Sequence, residues 1–539
     1  MSFEAGTRNL KYVNHFLIKE KTIEERAYQK NIVKTCMEHN TLVILPTALG
    51  KTIISLLLTV KRLERYPDSK ILVLAPTRPL VLQHYESFKR FLNISEEKLI
   101  ALTGRVPPKK RKGFWVEKQI FFATPQLIRN DLLEKRYSLR DLSLIVFDEG
   151  HRARKKYAYT NIAEKYIKQA KNPLILALTA SPGKDWETIK KTCEVLFINA
   201  VEYRTEKDED VKPYIPPMDM KWKRVDLPRE YEEIKDILKK MQLEEIKNLQ
   251  SMGLFPYKKP ENVTKRELLD LGAKLRASID LGEGKKSIYA AVMFQAASIS
   301  LTHALEVLTT QDISVLYKFL KRLEEKSKHS KSARRIIKKT EYKELIRKVE
   351  NNLPFEHTKL KTLQKIFQEK KWFNPEGRAI VFTQFRDTAT KILQSLKNVK
   401  NIKPVRFIGQ TSKKKDPGLT QEQQAEILKN FRKGKYNVLV ATSIAEEGLD
   451  IPTVDLVVFY EPIPSEIRFI QRKGRTARKR FGRVVILITN GTVDEIYYWS
   501  SKAREKKMKK IIYTLNKAFK EKNDISRELI SKQKTLEEF

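Results

Sequence analysis

The stretch LPTALGKT, residues 45–52, follows directly on the apolar run TLVI and ends in Gly50, Lys51 and Thr52. That order of residues, where a strand turns into a helix, suits a loop that binds nucleotide phosphates. Backbone N–H groups and the helix N-terminus cradle the phosphates, the ammonium neutralises charge and the hydroxyl holds Mg2+. The first glycine of the G-x-x-x-x-G-K-[ST] pattern is absent, with Leu45 in its place. A second run, LIVFDEGH, ends in Asp148 and Glu149, one suited to holding a hydrated Mg2+ and the other to acting as general base for an attacking water. Adjacent acids at a strand tip repel one another without a cation. Far along the chain, QRKGRTAR supplies Arg475 and Arg478, three residues apart and able to stabilise a γ-phosphoryl group in transfer. Alone this segment reads as basic surface. With the loop and the acidic strand end it completes an ATP-hydrolysing site split between two domains.

The elements that must position these groups recur twice. Five short β-rich runs lie between residues 41 and 181 (TLVILPT, ILVLAPT, IFFATP, LIVFDEG, LILALTAS). Five more lie between 379 and 490 (AIVFTQ, VRFIG, NVLVATS, LVVFYEP, VVILITN). Such runs, alternating with amphipathic stretches, predict buried parallel strands in two α/β sheets. Open α/β sheets bind ligands outside the carboxyl ends of their strands, where these runs turn polar. Residues 215–355 lack strand-like runs and have helical spacing, so an inserted all-helical domain is expected. The boundaries expected are 1–213 for the first α/β domain, 214–355 for the insertion, 356–498 for the second α/β domain and 499–539 for a basic tail.

The 539 residues carry 107 Lys+Arg against 66 Asp+Glu, a net charge of +41. A balance that one-sided favours a polyanionic partner, and nucleic acid above a membrane surface. The segment KSKHSKSARRIIKKTEYKELIRKVE in the insertion holds ten basic residues and three acidic ones, a candidate polyanion-binding element. Only Cys36 and Cys193 are present, which implies neither a disulfide framework nor a cysteine-based metal site. The N-terminus lacks the apolar core of a signal peptide, and no uninterrupted apolar run approaches bilayer length. The expectation is a cytoplasmic, nucleoid-associated protein with no membrane partner.

The ordered set RAYQ, LPTALGKT, APTRPLVLQH, LTGR, ATPQ, DEGH, LTASP, IVFTQFRDTA, RFIGQTSKKKDPGLTQEQQ, VATSIAEEGLDIP and QRKGRTAR resembles the superfamily 2 helicases. The segments GLTQEQQ and FYEPIPSEIRFIQRKGRTAR resemble the archaeal Hef / FANCM / Mph1 branch in particular. The resemblance implies two tandem RecA-like motor domains with a helical insertion between them, using ATP and Mg2+. It implies that Arg26 and Gln29 recognise adenine, and that Thr47, Gly50, Lys51 and Thr52 hold the phosphates and magnesium. Asp148 and Glu149 would be catalytic, with His151 and Gln471 coupling the nucleotide to the motor interface. Thr179 and Ser181 would link hydrolysis to movement. Gly448 and Asp450 would reach the nucleotide from the second motor domain, where Arg475 and Arg478 complete the site. One nucleic-acid strand would run past Thr77, Arg78, Gly104, Thr124, Gln126, Thr383, Gly409 and Thr442. The bland alternative for these threonines is helix capping.

Two positions depart from the branch's pattern. Ala48 replaces a loop glycine, and Ala477 replaces the glycine between the last two arginines; at φ > 0 each alanine costs on the order of 1 kcal/mol. Some archaeal members continue into a nuclease domain, and nothing resembling one follows here. The final QKTLEEF places Gln533, Leu536 and Phe539 in a Q-x-x-h-x-x-a pattern that suits docking to the sliding clamp PCNA. The function expected is an ATP-dependent DNA helicase or translocase of 3′→5′ polarity that remodels forks and Holliday junctions. Two alternatives stay open: a double-stranded RNA translocase of RIG-I/Dicer type, and a branched-DNA binding platform without catalysis.

Overall fold

The computed structural model describes residues 11–514 apart from 47–48, 105, 155–156, 181–185, 206–207, 215–217, 282–285, 411–415, 443–450, 453, 463–481, 501–509 and 512. Two fully parallel sheets organise the chain. The first holds β1 (Thr41–Ile44), β2 (Lys70–Leu74), β3 (Leu99–Leu102), β4 (Ile120–Ala123), β5 (Leu142–Asp148), β6 (Ile175–Thr179) and β7 (Ala200–Tyr203). Their order is β3-β4-β2-β5-β6-β1-β7. The second holds β8 (Met218–Val225), β9 (Ala379–Phe382), β10 (Pro404–Phe407), β11 (Val438–Ala441), β12 (Leu456–Phe459) and β13 (Gly482–Thr489), ordered β10-β11-β9-β12-β13-β8.

All ten β-rich runs form strands. β3, β7 and β8 add to them at sheet edges. β3 and β7 are only partly buried; β3 is a short apolar run, LIAL, missed from the sequence, and Glu202 interrupts β7. β8 falls inside the stretch expected to be helical. Its MDMKWKRV pairs along its whole length with β13, and Met220 and Trp222 pack on the core beneath that sheet. The chain therefore crosses to the second sheet before it enters the insertion.

The insertion is a bundle of helices Arg229–Ser251, Lys265–Asp280, Lys286–Thr310, Ile313–Lys326, Lys331–Lys338 and Thr340–Asn351. Lys286–Thr310 is, among the described residues, the one helix long and apolar enough to cross a bilayer, with mean hydropathy 1.3. Here it is a bundle helix whose Ala297, Leu301, Ala304 and Leu308 join the buried core. Gly272 lets the helix Lys265–Asp280 press against it, since a Cβ there would meet Gln295 Nε2 at 2.4 Å. The basic segment is partly compensated from a distance. Arg335 and Lys339 pair with the fully buried Glu245 at 2.8 and 2.9 Å, and Lys348 pairs with Glu233. Both acids sit on the helix Arg229–Ser251, a hundred residues before the basic run, so the excess of positive charge on that face is smaller than the local sequence implies.

The insertion is fastened to the second sheet by buried polar contacts. Lys359, ion-paired within the second domain to Asp494 with both side chains essentially inaccessible, donates from Nζ to Thr310 O of the insertion at 3.2 Å. Thr388 Oγ1 donates to Gln311 Oε1 at 2.7 Å. His357 starts the helix Thr358–Gln368: its Nδ1 accepts from Lys359 N at 3.1 Å, while Nε2 lies 3.4 Å from Thr309 O. That pattern needs the neutral ring, because a proton on Nδ1 would remove the cap. Burial and the Lys359 cation push its pKa down to about 3, against a smaller opposing pull from the Thr309 carbonyl. The unfolded chain takes up this proton near pH 6.5, so His357 contributes fully above that pH. Its contribution falls by about 1.4 kcal/mol per pH unit as the pH drops below it. Urea unfolding between pH 7 and 4.5 should show this slope, and His357→Asn, which keeps a capping acceptor, should flatten it.

Candidate nucleotide site and nucleic-acid face

Register decides which side chains meet. β5, β6 and β1 are neighbours in the first sheet, with Asp148 opposite Leu178 and Ile44 opposite Thr179. Their carboxyl ends therefore lie side by side, and Leu45 N continues the ladder by donating to Thr179 O at 3.0 Å. The loop after β1, the acids after β5 and Thr179 at the end of β6 are brought together by this alignment. Gly50 sits at φ 72° as the residue before the helix Lys51–Arg65, in the left-handed region that suits glycine. A Cβ there would meet Gln29 Nε2 at 2.8 Å. Gln29 Nε2 approaches Leu49 O at 3.4 Å, and Tyr28 Oη donates to the same carbonyl at 2.8 Å. The helix carrying Arg26 and Gln29 is thus stitched to the base of the phosphate loop.

Lys51 is 9 % exposed, and its Nζ has no hydrogen-bond partner among the described residues. Asp148 is 5 % exposed; His84 Nε2 lies 2.9 Å from its Oδ2 and the Glu149 amide donates to its Oδ1 at 3.0 Å. Burial pushes the Asp148 carboxyl up, but the His84 bond and charge, Lys51 and that amide outweigh it and hold the group below its usual range. Glu149 is 7 % exposed and adopts φ 51°, a left-handed conformation that costs a non-glycine residue about 1 kcal/mol. His151 Nδ1 lies 3.0 Å from Thr179 Oγ1 and 3.2 Å from Glu149 Oε2. A buried ammonium without a hydrogen-bond partner among the described residues, a carboxylate beside a histidine and a second carboxylate held below its usual range fit a polyphosphate with a divalent cation. Thr52 and Asp148 are the residues that would hold that cation, which would neutralise phosphate oxygens.

Of the residues expected to meet nucleic acid, Thr77, Gly104 and Thr124 follow the carboxyl ends of β2, β3 and β4. Thr77 Oγ1 and Arg78 Nε are buried without hydrogen-bond partners among the described residues, a Cβ on Gly104 would meet nothing described within 4 Å, and Gln126 is exposed. In the second sheet, Gly409 O accepts from Arg386 at 2.9 Å. Thr383 and Thr442 differ from the rest. Thr383 is fully buried and its hydroxyl donates to Glu461 at 3.1 Å, while Thr442 is 6 % exposed. The motif GLTQEQQ acquires a structural meaning. A Cβ on Gly418 would meet Gln410 backbone atoms at 2.3 Å. Thr420 and Gln423 form a capping box, and Gln424 donates to Ile408 O at 3.0 Å. Together they fix the loop after β10 that carries Gly409.

Thr47, Ala48, Ser181, Gly448, Asp450, Gln471, Arg475, Ala477, Arg478, Gln533, Leu536 and Phe539 lie outside the described residues. His84 and Tyr28 were missed from the sequence. His84 stands at the end of APTRPLVLQH and was read with the helix that follows β2. Nothing local signals that this ring turns inward to a carboxylate 64 residues away.

The DEAD/DEAH box helicase family matches residues 26–189, and the helicase conserved C-terminal domain family matches 358–480. Between them, the family described as "Putative ATP-dependent RNA helicase, helical bundle" matches 230–352. Two RecA-like sheets, a phosphate loop and an acidic strand end define a superfamily 2 helicase. The helicase domain of Hef from Pyrococcus furiosus is 44% identical, with a TM-score of 0.69 over 88% of this chain and 98% of that one. The chain belongs to the Hef / FANCM / Mph1 branch of that superfamily. The Methanocaldococcus jannaschii protein named "Putative ATP-dependent RNA helicase MJ1505" is 39% identical over 94% of this chain and 63% of its own length. The ATP-dependent DNA helicase mph1 of Neurospora crassa is 34% identical over 87% of this chain. The chain spans 63% and 41% of those two relatives.

Replacing His84 by Ala removes the side-chain partner of Asp148. ATP turnover should fall about tenfold, within the range of roughly 10–100-fold seen when groups supporting a metal ligand are lost. The Mg2+ concentration for half-maximal rate should rise alongside, and His84→Gln should restore part of both.

Proposed function

We propose that this chain is a nucleic-acid-stimulated ATPase that translocates on DNA and remodels branched substrates such as forks and Holliday junctions. The observation that carries the chemistry is the buried Lys51 ammonium, without a hydrogen-bond partner among the described residues, near Asp148 and Glu149 at the carboxyl end of the same sheet. Lys51 and the loop backbone bind the phosphates. Glu149 orients the attacking water and takes its proton at Oε2, held in place by its backbone turn and by His151. Gln471, Arg475 and Arg478 enter from the second motor domain and stabilise the negative charge on the departing phosphoryl group. Arg26 and Gln29 read the base. His151, Thr179 and Ser181 pass the state of the nucleotide to the motor interface.

Thr77, Arg78, Gly104, Thr124 and Gln126 suit sequence-independent contacts to one strand's phosphates. The net charge of +41 supports a polyanion. The branch supports DNA and a 3′→5′ direction, and the insertion is assigned the second duplex arm. Gln533, Leu536 and Phe539 are assigned to a sliding clamp. The second reading, a double-stranded RNA translocase, is favoured by the RNA helicase names of the Methanocaldococcus jannaschii relative and of FANCM from Arabidopsis thaliana.

ATP hydrolysis should be stimulated most by forked DNA, less by linear duplex and least by duplex RNA. Strongest stimulation by duplex RNA would install the second reading. Lys51→Ala should abolish hydrolysis while fork binding persists; unchanged hydrolysis would leave only a binding platform. Fork affinity should also fall steeply between 50 and 200 mM salt, by roughly 10³-fold or more if six or more phosphates are contacted.

A further inference from the structure

Tyr214 belongs to none of the helicase motifs, yet it sits on the residue assigned to the base of the nucleotide. Its hydroxyl accepts from Ala27 N at 3.2 Å. Ala27 is the first residue of the helix Ala27–Glu38, whose N-cap residue, Arg26, makes no side-chain cap bond. Tyr214 thus satisfies, from 187 residues away, one of the amides a helix start leaves open. Its ring lies 5.5 Å from the Arg26 guanidinium carbon and 5.8 Å from the Tyr28 ring. Arg26 is also gripped edge-on by Glu24, with Nε and Nη2 at 2.9 and 2.8 Å from Oε2. A guanidinium is a flat group with two faces. One face is turned to an aromatic ring, and the side chain keeps 25% of its surface exposed. Tyr28, beside them, carries the connection to the phosphate loop through Leu49 O.

We propose that Tyr214 is the floor of the adenine stack: it holds the Arg26 guanidinium flat from beneath so that the opposite face receives the base, and it thereby sets the preference for ATP over GTP. This rests on the nucleotide-site reading above. The stack has three layers: tyrosine ring, guanidinium and purine. A cation sandwiched between two π-faces is attracted by both, and the fixed plane lets Gln29 meet the purine edge in one register. The position of Tyr214 adds a consequence. Four residues later the chain begins β8, the edge strand of the second sheet. The floor of the base pocket therefore lies just before the edge strand of the second sheet in the chain.

The test uses the full chain without DNA. Equilibrium affinities for fluorescent N-methylanthraniloyl derivatives of ATP and GTP are measured by anisotropy for wild type, Tyr214→Ala and Tyr214→Phe, with fork-stimulated KM and kcat alongside. Tyr214→Ala should weaken ATP binding about five- to tenfold and GTP binding less than twofold, with kcat within about twofold. Tyr214→Phe, which keeps the ring, should keep the selectivity. An unchanged ATP affinity in Tyr214→Ala overturns the proposal. So does an equal loss for both nucleotides, which would assign the residue to the fold alone. A wild type that binds ATP and GTP equally well removes base reading by Arg26 and Gln29 while leaving the phosphate chemistry intact. A wild type that binds neither nucleotide overturns the site itself.

Discussion

The structure depends on one constraint, the alignment of β1, β5 and β6. Three neighbouring parallel strands end together, and their ends carry an ammonium, two carboxylates and a hydroxyl. Burying charged groups is costly unless they are paired and hydrogen-bonded. Lys51 Nζ has the charge of Asp148 nearby but no hydrogen-bond partner among the described residues, Glu149 adds a left-handed backbone, and a buried histidine helps hold Asp148 below its usual range. A fold tolerates such a cluster where a ligand relieves it. A polyphosphate answers the ammonium and a divalent cation answers the acids, so substrate binding and relief of the resting cost are one event.

The second sheet repeats the plan and gains a rigid attachment. The Lys359–Thr310 and His357–Thr309 contacts and the Gln311–Thr388 bond tie the helical insertion to the second motor domain. β8 strengthens that unit, because the chain enters the second sheet before the insertion begins. Toward the other end, Ile511 packs against the core of the first motor domain.

Much of this was legible because parallel sheets write their strands as apolar runs and their sites as the residues just past them. Gly50, Lys51, Asp148, Glu149, His151 and Thr179 came from that rule together with the ordered motifs, and the structure brings them together. The rule fails at sheet edges: Glu202 interrupts β7 and β8 alternates polar and apolar residues, so neither gives a continuous run, while the apolar LIAL of β3 is only four residues long. It also fails wherever a partner is distant in sequence. The basic run of the insertion is part-neutralised by Glu245 and Glu233, His84 turns to Asp148, and Thr383 spends its hydroxyl on Glu461. Composition and spacing carry no sign of those pairings. GLTQEQQ was legible as a family mark; its physical content, a glycine under a backbone and a capping box, required coordinates.

The central claim is that one hydrolytic site is completed by groups from both motor domains. Single-turnover hydrolysis and equilibrium ATP binding of Arg478→Ala test it most directly. Binding within about threefold of wild type together with hydrolysis lowered by about 10³-fold or more is the result expected of an arginine that acts only on the transferring phosphoryl group. Hydrolysis at the wild-type rate would contradict it, because the first motor domain would then be sufficient on its own.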